Sequence, residues 1–505
     1  MTTVIRRVFH TLAARVRRNT PPPSPTSQSP NDATNRVNET VLTEGETAST
    51  PAIPHDIHER LTQFALTESE LAERRTVRER LALQSSVVMK LGVLLMGSGA
   101  GAYRVKTSMA RLAAAVGIEK HQSQILLTEI ATTAYAQGTF RTELAEQRTI
   151  GVNADRIDAL RRFVRDLRPN MLVEEADAAL DEIAAKPHLY SRFQLALASG
   201  FGCAAFAFLN RGGVTECLAV LIAAFTGQWV RSVLLAKRAN HVATWILCAT
   251  IASLIYIGVV SVAVYAGFVD NTHQAGAVSA ILFLVPGFPL VTAILDLVRL
   301  DLVVGIVRGC YVMVLMISAG MAMWVVSLAT DWQVQATAPP IIDPTILFGL
   351  NMVATLIAAF CFAMLFNSPI KVALTAGLIG AVLNPVRIFL VSEGYPNQLL
   401  VGITCLCVGL IATAISARTY FSRVTLSVPA VVIMIPGVPF YRAITALNAG
   451  KPLDALPSLL DISFVILAIG AGLAISRMLT DRGWAFDSPV LPTTDLDPSH
   501  AKVVR

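Results

Sequence analysis

Charge is the first thing this sequence is short of. Only 15% of its 505 residues are Asp, Glu, Lys or Arg, against roughly 25% in a soluble protein. With 54% hydrophobic residues and a mean hydropathy of +0.57, this is a membrane composition. The net charge of +6 is not a nucleic-acid signal, because the basic residues sit at the edges of apolar runs and in the N-terminal part. Paired cysteines are missing too. All seven cysteines lie in or beside apolar segments, and no CxxC pair occurs among them. Cys405 and Cys407 therefore read as packing residues inside a lipid-length helix rather than as metal ligands. No HExxH pattern is present. Residues 83–190 hold isolated Ser, His and Glu without a nucleophile–base constellation, which weighs against a hydrolase. The expectation is no enzyme, no metal and no bound cofactor.

What the chain does have is a division. Residues 1–55 begin with "MTTVIRRVFHTLAARVRR", in which Val4, Val8, Leu12 and Val16 share a helical face surrounded by arginines. Such a segment lies on an anionic membrane surface, with a transit peptide as the competing reading. "PPPSPTSQSP" then opens a disordered linker. Residues 56–190 read as a small α/β domain. Two helix-patterned stretches are joined by Gly97, Gly99 and Gly101, β-leaning segments turn at Gly138, and "NADRIDALRRFVRDL" opens with an Asn/Asp cap. Gly97-Ser-Gly99-Ala-Gly101, with Glu119 downstream, imitates a dinucleotide fingerprint. That motif needs a strand before it and a parallel strand after it, and neither pattern is present.

From residue 191 onward, ten apolar segments are long enough to span a bilayer. They lie near 191–210, 214–235, 242–266, 276–298, 302–328, 345–366, 370–391, 398–416, 424–447 and 458–478. Lysines and arginines alternate sides, with only Arg211 and Lys451 against the pattern. Lys237, Arg238, Arg299, Lys371, Arg418, Arg423, Arg477 and Arg482 fall on one side, while "GFVDNTHQAG", "TDWQVQATAPPIID" and "SEGYPNQ" have none. Both termini are then cytoplasmic, in the cell (inner) membrane. Residues 481–505 form a tail.

Two of the ten segments are broken alike. Pro286-Gly287-Phe288-Pro289 and Pro436-Gly437-Val438-Pro439 are offset by 150 residues, and Ala280, Ala293, Ile294 and Leu297 meet identical residues at that offset. Each break falls in the fourth span of a five-span half, 191–330 or 331–480. Five is odd, so the expected fold is an α-helical integral membrane protein of two inverted five-helix repeats. Proline removes an amide donor, and freed backbone in lipid is tolerated only around a protein-enclosed cavity. Pro286, Gly287, Pro289, Pro436, Gly437 and Pro439 are therefore the expected substrate site. Ionisable groups at membrane depth are costly and usually functional. Asp296, two helical turns past Pro289, is the expected proton carrier, with Asp301 next. Arg308, Arg387 and Arg442 are expected to hold a substrate carboxylate or neutralise an aspartate, Arg442 foremost. Arg299 and Asp301 form an edge pair in the bland reading, and Asp461 opens the last span.

At these residues the chain resembles the threonine/serine exporter family. The similarity is carried by "LLMGSGAGAYRVKTSMARLAAAVGI", "GVNADRIDALRRFVRDL", "VPGFPLVTAILDLVRLDLVVGIVR" and "IPGVPFYRAI", over about residues 83–478. It departs at Leu300, where the family often has Gly. The resemblance implies export of a small polar amino acid driven by the proton gradient, the proton being the coupling ion. Related proteins with separately encoded halves are linked to dicarboxylate export, so succinate is the alternative substrate. A membrane-anchored hydrolase or a scaffold is the alternative class. The expected partners are the substrate and the lipid bilayer, not nucleic acid, and a homo-oligomer is compatible with the sequence.

Overall fold

The computed structural model describes residues 68–147, 151–267, 276–330 and 342–486. The expectations for the basic N-terminal helix, the linker, two of the Lys/Arg-free loops and most of the tail lie outside these residues.

Helix α1 (Glu68–Gly97) begins well before residue 83, where the apolar pattern starts, and turns sharply into α2 (Ala102–Ala115). The turn needs its glycines: Gly99 has φ +89°, and the Ala100 amide reaches back to the Leu95 carbonyl at 3.1 Å, closing the helix end. Three strands follow, β1 (Lys120–Ile125), β2 (Glu129–Ala136) and β3 (Thr139–Glu146), antiparallel in the order β1-β2-β3. Gln137 and Gly138 both take positive φ, the two-residue hairpin turn that suits the twist of the flanking strands. A helix rather than a strand precedes the glycines, and no strand of this sheet is parallel to another. The dinucleotide resemblance is therefore accidental. Helices α3 (Ala154–Arg165) and α4 (Val173–Ala185) complete the group. Leu91, Leu95, Met109, Leu112, Ile130, Leu160 and Leu180 form its core.

The long apolar helices come next: α5 (Arg192–Leu209), α6 (Val214–Ala236) and α7 (His241–Tyr265). The first broken segment then consists of α8 (Gly276–Ala280), a 3-10 turn (Leu282–Leu284) and α9 (Gly287–Val298), followed by α10 (Leu302–Thr330). The second series is α11 (Pro344–Leu365), α12 (Ile370–Ser392), α13 (Asn397–Arg418), the broken α14 (Arg423–Val432) and α15 (Gly437–Asn448), and α16 (Pro452–Thr480). A short α17 (Arg482–Ala485) ends the described chain. Among the described residues nine helices are long and apolar enough to cross a membrane, and the α14–α15 pair, bent by 54°, makes up to ten. One of the nine is part of α1, which packs into the separate core above. The protein is thus an α-helical membrane protein. The last span starts earlier than its apolar run, because Pro452 can open a helix at its first turn. Asp461 consequently lies inside α16, accepting from Gln398 at 2.8 Å, rather than at its start.

The two series pack alike. Helices α5–α6, α6–α7, α6–α8, α7–α10 and α9–α10 touch, as do α11–α12, α12–α13, α12–α14, α13–α16 and α15–α16. Contacts between the series are reciprocal at the same 150-residue offset. A Cβ on Gly320 would collide with Ile444, and one on Gly470 with Ile294. A Cβ on Gly287 would collide with Val432, and one on Gly437 would touch Leu282 at 3.6 Å.

Candidate functional site

The two breaks have the same backbone. Pro286 sits at φ −78°, ψ 62° and Pro436 at φ −79°, ψ 69°, which are the angles of an inverse γ-turn. The amide of Gly287 closes that turn on the Val285 carbonyl at 2.8 Å, and Gly437 does so on Ile435 at 2.9 Å. Three further amides repeat at the offset: Leu284, Val285 and Leu290 match Met434, Ile435 and Phe440. Pro289 and Pro439 lie in the first turn of α9 and α15, where a missing amide hydrogen costs nothing.

The freed carbonyls differ between the breaks. Arg231 donates to Phe283 O at 3.0 Å, Trp245 Nε1 donates to Leu284 O at 2.7 Å, and the guanidinium lies over the Trp245 ring. Among the described residues no side chain donates to the equivalent Ile433 and Met434 carbonyls. Between the breaks lies an apolar cavity walled by Val278, Leu282, Val285, Met316, Gly437 and Tyr441. Arg442 does not line it. Its side chain is exposed and makes no ion pair or hydrogen bond among the described residues.

Asp296 is buried near the end of α9. One oxygen accepts from Arg308 on α10 at 2.9 Å and the other from the Ala102 amide, the first of α2, at 3.0 Å. Arg308 also donates to Ala100 O at 3.2 Å. Asp296 thus caps a helix from the N-terminal group, and a Cβ on Gly101 would stand only 3.0 Å from that carboxylate, so the close approach favours glycine there. Asp301 pairs with Lys106 on α2, not with its neighbour Arg299 as the short spacing suggests. Arg299 turns instead to the Gly483 and Trp484 carbonyls and lies over the Tyr103 ring. Between them Leu300 adopts φ +65°, so the turn keeps its shape although a β-carbon sits where glycine would be relaxed. Arg387 is held by Asn384 and Asn397.

The N-terminal group reaches further along the same face. Asp158 on α3 accepts from the Ser422 amide at 2.9 Å and from the Thr425 hydroxyl, capping α14 where Ser422's own side chain does not. Arg104 donates to the Ser422 hydroxyl at 2.6 Å. Burial pushes the Asp158 carboxyl up to about 6, against the pull of these hydrogen bonds and of Arg104 and Arg161. Burial, and then the charges of Arg477 and Arg161, draw Arg104 down to about 9. Asn153 and the backbone of α3 hold Phe366 and Asn367 after α11. The junctions after α9, after α11 and before α14, together with the end of α16, therefore all meet one group of elements. The basic-residue alternation assigns all of these ends to one side. Sequence reasoning missed Tyr103, Arg104, Asp158, Arg477 and Trp484 as site residues. Arg477 was visible only as one charge in that alternation, and Asp158 only as a polar position on a helix.

The residues that form this geometry match known proteins. Residues 86–330 match a family described as putative threonine/serine exporter, and residues 351–479 a second described as threonine/serine exporter. A probable threonine/serine exporter of Mycobacterium tuberculosis is 25% identical over 409 residues, 78% of this chain and 75% of that one. Probable succinate transporter subunits YjjP of Escherichia coli and Klebsiella aerogenes are 25% and 24% identical, covering 44% and 53% of this chain and 84% and 98% of theirs. No solved structure matches. Both broken helices, the Asp296–Arg308 pair and the glycine turn that meets it fall within the matched residues, and the chain belongs to the threonine/serine exporter family.

Proposed function

We propose that the protein is a proton-coupled secondary transporter that exports a small polar amino acid of the threonine or serine kind. The observation that carries this reading is the pair of matching γ-turn breaks, packed reciprocally, with a buried carboxylate–guanidinium pair behind the first. Two inverted repeats account for the reciprocity, and rocking of one against the other would expose the site to each side in turn. The N-terminal helices and sheet would form a cytoplasmic domain, since they meet the helix ends that carry the inside lysines and arginines.

In this reading the Ile433 and Met434 carbonyls, which take no side-chain donor among the described residues, face a substrate ammonium, as carbonyl ends of broken helices can, while Arg231 and Trp245 occupy the carbonyls of the first break. Asp296 exchanges the proton. Neutralising it would release Arg308, which could then hold a substrate carboxylate, so that proton and substrate alternate on one guanidinium. Asp301, already paired with Lys106, is second in line. Arg442, exposed after the second break, is proposed to meet the carboxylate from the other side. The YjjP relatives support small dicarboxylates such as succinate as the second reading.

Uptake of labelled threonine, serine and succinate into inside-out vesicles, with and without a pH gradient, tests the proposal. Asp296→Asn should abolish gradient-driven accumulation and leave substrate exchange. Arg442→Gln should weaken apparent affinity by about 10- to 150-fold. Normal accumulation by Asp296→Asn would remove Asp296 from the coupling step.

A further inference from the structure

Arg477 is the one arginine at this face with a role that its contacts do not explain. It ends the last span on α16, yet its guanidinium makes no hydrogen bond or ion pair among the described residues, and its Nε is buried. Two rings hold it, Tyr103 at 5.9 Å and Trp484 at 5.5 Å. A guanidinium kept in place by aromatic faces retains all its donors for a ligand. It borders a cleft whose wall also includes Gly101, Arg104 and Asp296. The cleft has room for about one water as it stands, roughly 20 Å³.

Arginines outnumber the free carboxylates around this cleft: Asp481, the acid whose charge acts most on Arg477, already pairs with Arg423 at 3.8 Å. Both oxygens of Asp296 are already taken by Arg308 and Ala102, and Asp158 is engaged with Ser422 and Thr425. Arg104 spends one donor on Ser422 and lies close enough to Arg477 for the two charges to repel. An anion between Arg104 and Arg477 would remove that repulsion.

We propose that this cleft, between α2, α9 and α16, is an entry site for the carboxylate group of the transported solute, with Arg477 as its principal contact and Arg104 as its second. The inference rests on the transport reading and adds a site to it, distinct from the breaks and formed only because the N-terminal elements supply Tyr103 and Arg104. A planar carboxylate can accept two parallel bonds from one guanidinium. The Tyr103 and Trp484 rings fix the orientation of that guanidinium, so little side-chain entropy remains to be lost on binding. A carboxylate needs more room than one water, so binding must shift the lining of the cleft, which includes Trp484 and makes it the reporter.

The full chain, purified into phosphatidylcholine nanodiscs, is titrated with succinate, threonine, their primary amides, which lack the carboxylate, and inorganic phosphate while tryptophan emission is followed. Succinate or threonine should give a saturable change that is lost in Trp484→Phe, and the amides should give none. Arg477→Gln should weaken binding about 10- to 150-fold, Arg104→Gln by less, and Arg418→Gln, at an exposed position, should not change it. Arg477→Lys retains the charge but not the fork, and should recover only part of the affinity if it folds as the wild type does by thermal unfolding. Unchanged affinity in Arg477→Gln overturns the proposal. So does a response to phosphate, or to added anionic lipid, in the absence of any response to carboxylates, since Arg477 would then be a headgroup contact. Vesicle uptake separates the two readings. Arg477-dependent binding without any transport sinks the exporter reading alone, and transport with Arg477-independent binding sinks the entry site alone.

Discussion

Asp296→Asn has a consequence for stability that can be worked out apart from any transport assay. The carboxylate and the Arg308 guanidinium are each 5% exposed and stand 2.9 Å apart. Asparagine keeps the shape and can still accept from the Ala102 amide, so the cap on α2 survives. What is lost is the only carboxylate paired with Arg308 among the described residues, where its remaining bond is to the Ala100 carbonyl at 3.2 Å. Removing one member of a buried pair leaves the other charge uncompensated, at a cost of about 3–5 kcal/mol. Arg308→Gln should cost a similar amount, because Asp296 would be left with a single amide. The double variant Asp296→Asn with Arg308→Gln contains no stranded charge and should recover most of the loss. The assay is equilibrium unfolding in mixed micelles on all four proteins, read as a double-mutant cycle. Single variants within about 0.5 kcal/mol of wild type, or losses that simply add in the double variant, would refute the claim that this pair is insulated from water.

Leu300→Gly should raise stability by about 1 kcal/mol or less, since it relieves a β-carbon at φ +65° on an exposed residue; a lower unfolding midpoint would show that Leu300 makes a contact worth more than its strain. Gly287→Ala should lower stability by about 1–3 kcal/mol, because its Cβ would run into Val432, whereas Gly437→Ala, with nothing nearer than 3.6 Å, should be tolerated; equal thermal stability of the two variants would contradict the packing. Asp158 supplies a pH dependence. Its carboxyl rises from 3.8 to about 6 in the folded protein, so the native state binds this proton more tightly than the unfolded chain does. That stabilising contribution is full below about 3.8 and is lost as pH rises through about 6. Wild type should therefore lose more stability than Asp158→Asn between pH 5 and pH 7, and parallel profiles would place Asp158 in contact with water.

Much of this protein could be read from its residues because lipid imposes length and hydropathy directly. An apolar run of about 20 residues has few alternatives to a spanning helix, so the spans were legible near their actual ends. The paired PGxP breaks were legible for a related reason: proline and glycine act on their own backbone, and the matching γ-turns at Pro286 and Pro436 need no distant partner. The glycine turn at Gly99 and the hairpin at Gly138 belong to the same kind of local determination. Side-chain partnerships across the chain were not legible. Nothing in the spacing of Asp296 says that its carboxylate caps α2 nearly two hundred residues earlier, or that Asp301 prefers Lys106 to Arg299. The helix-cap positions of Asp158 and Asp296 are supplied by other elements, so no local capping pattern marks them. Arg477 showed the same limit. As a letter in the sequence it was one more basic residue at a membrane edge, and only the folding of Tyr103 and Trp484 around it made it a guanidinium with rings on its faces and its donors unspent. Local backbone chemistry and the bilayer determined the helices and their breaks, while the charges found their partners only where packing brought distant segments within about 3 Å of one another.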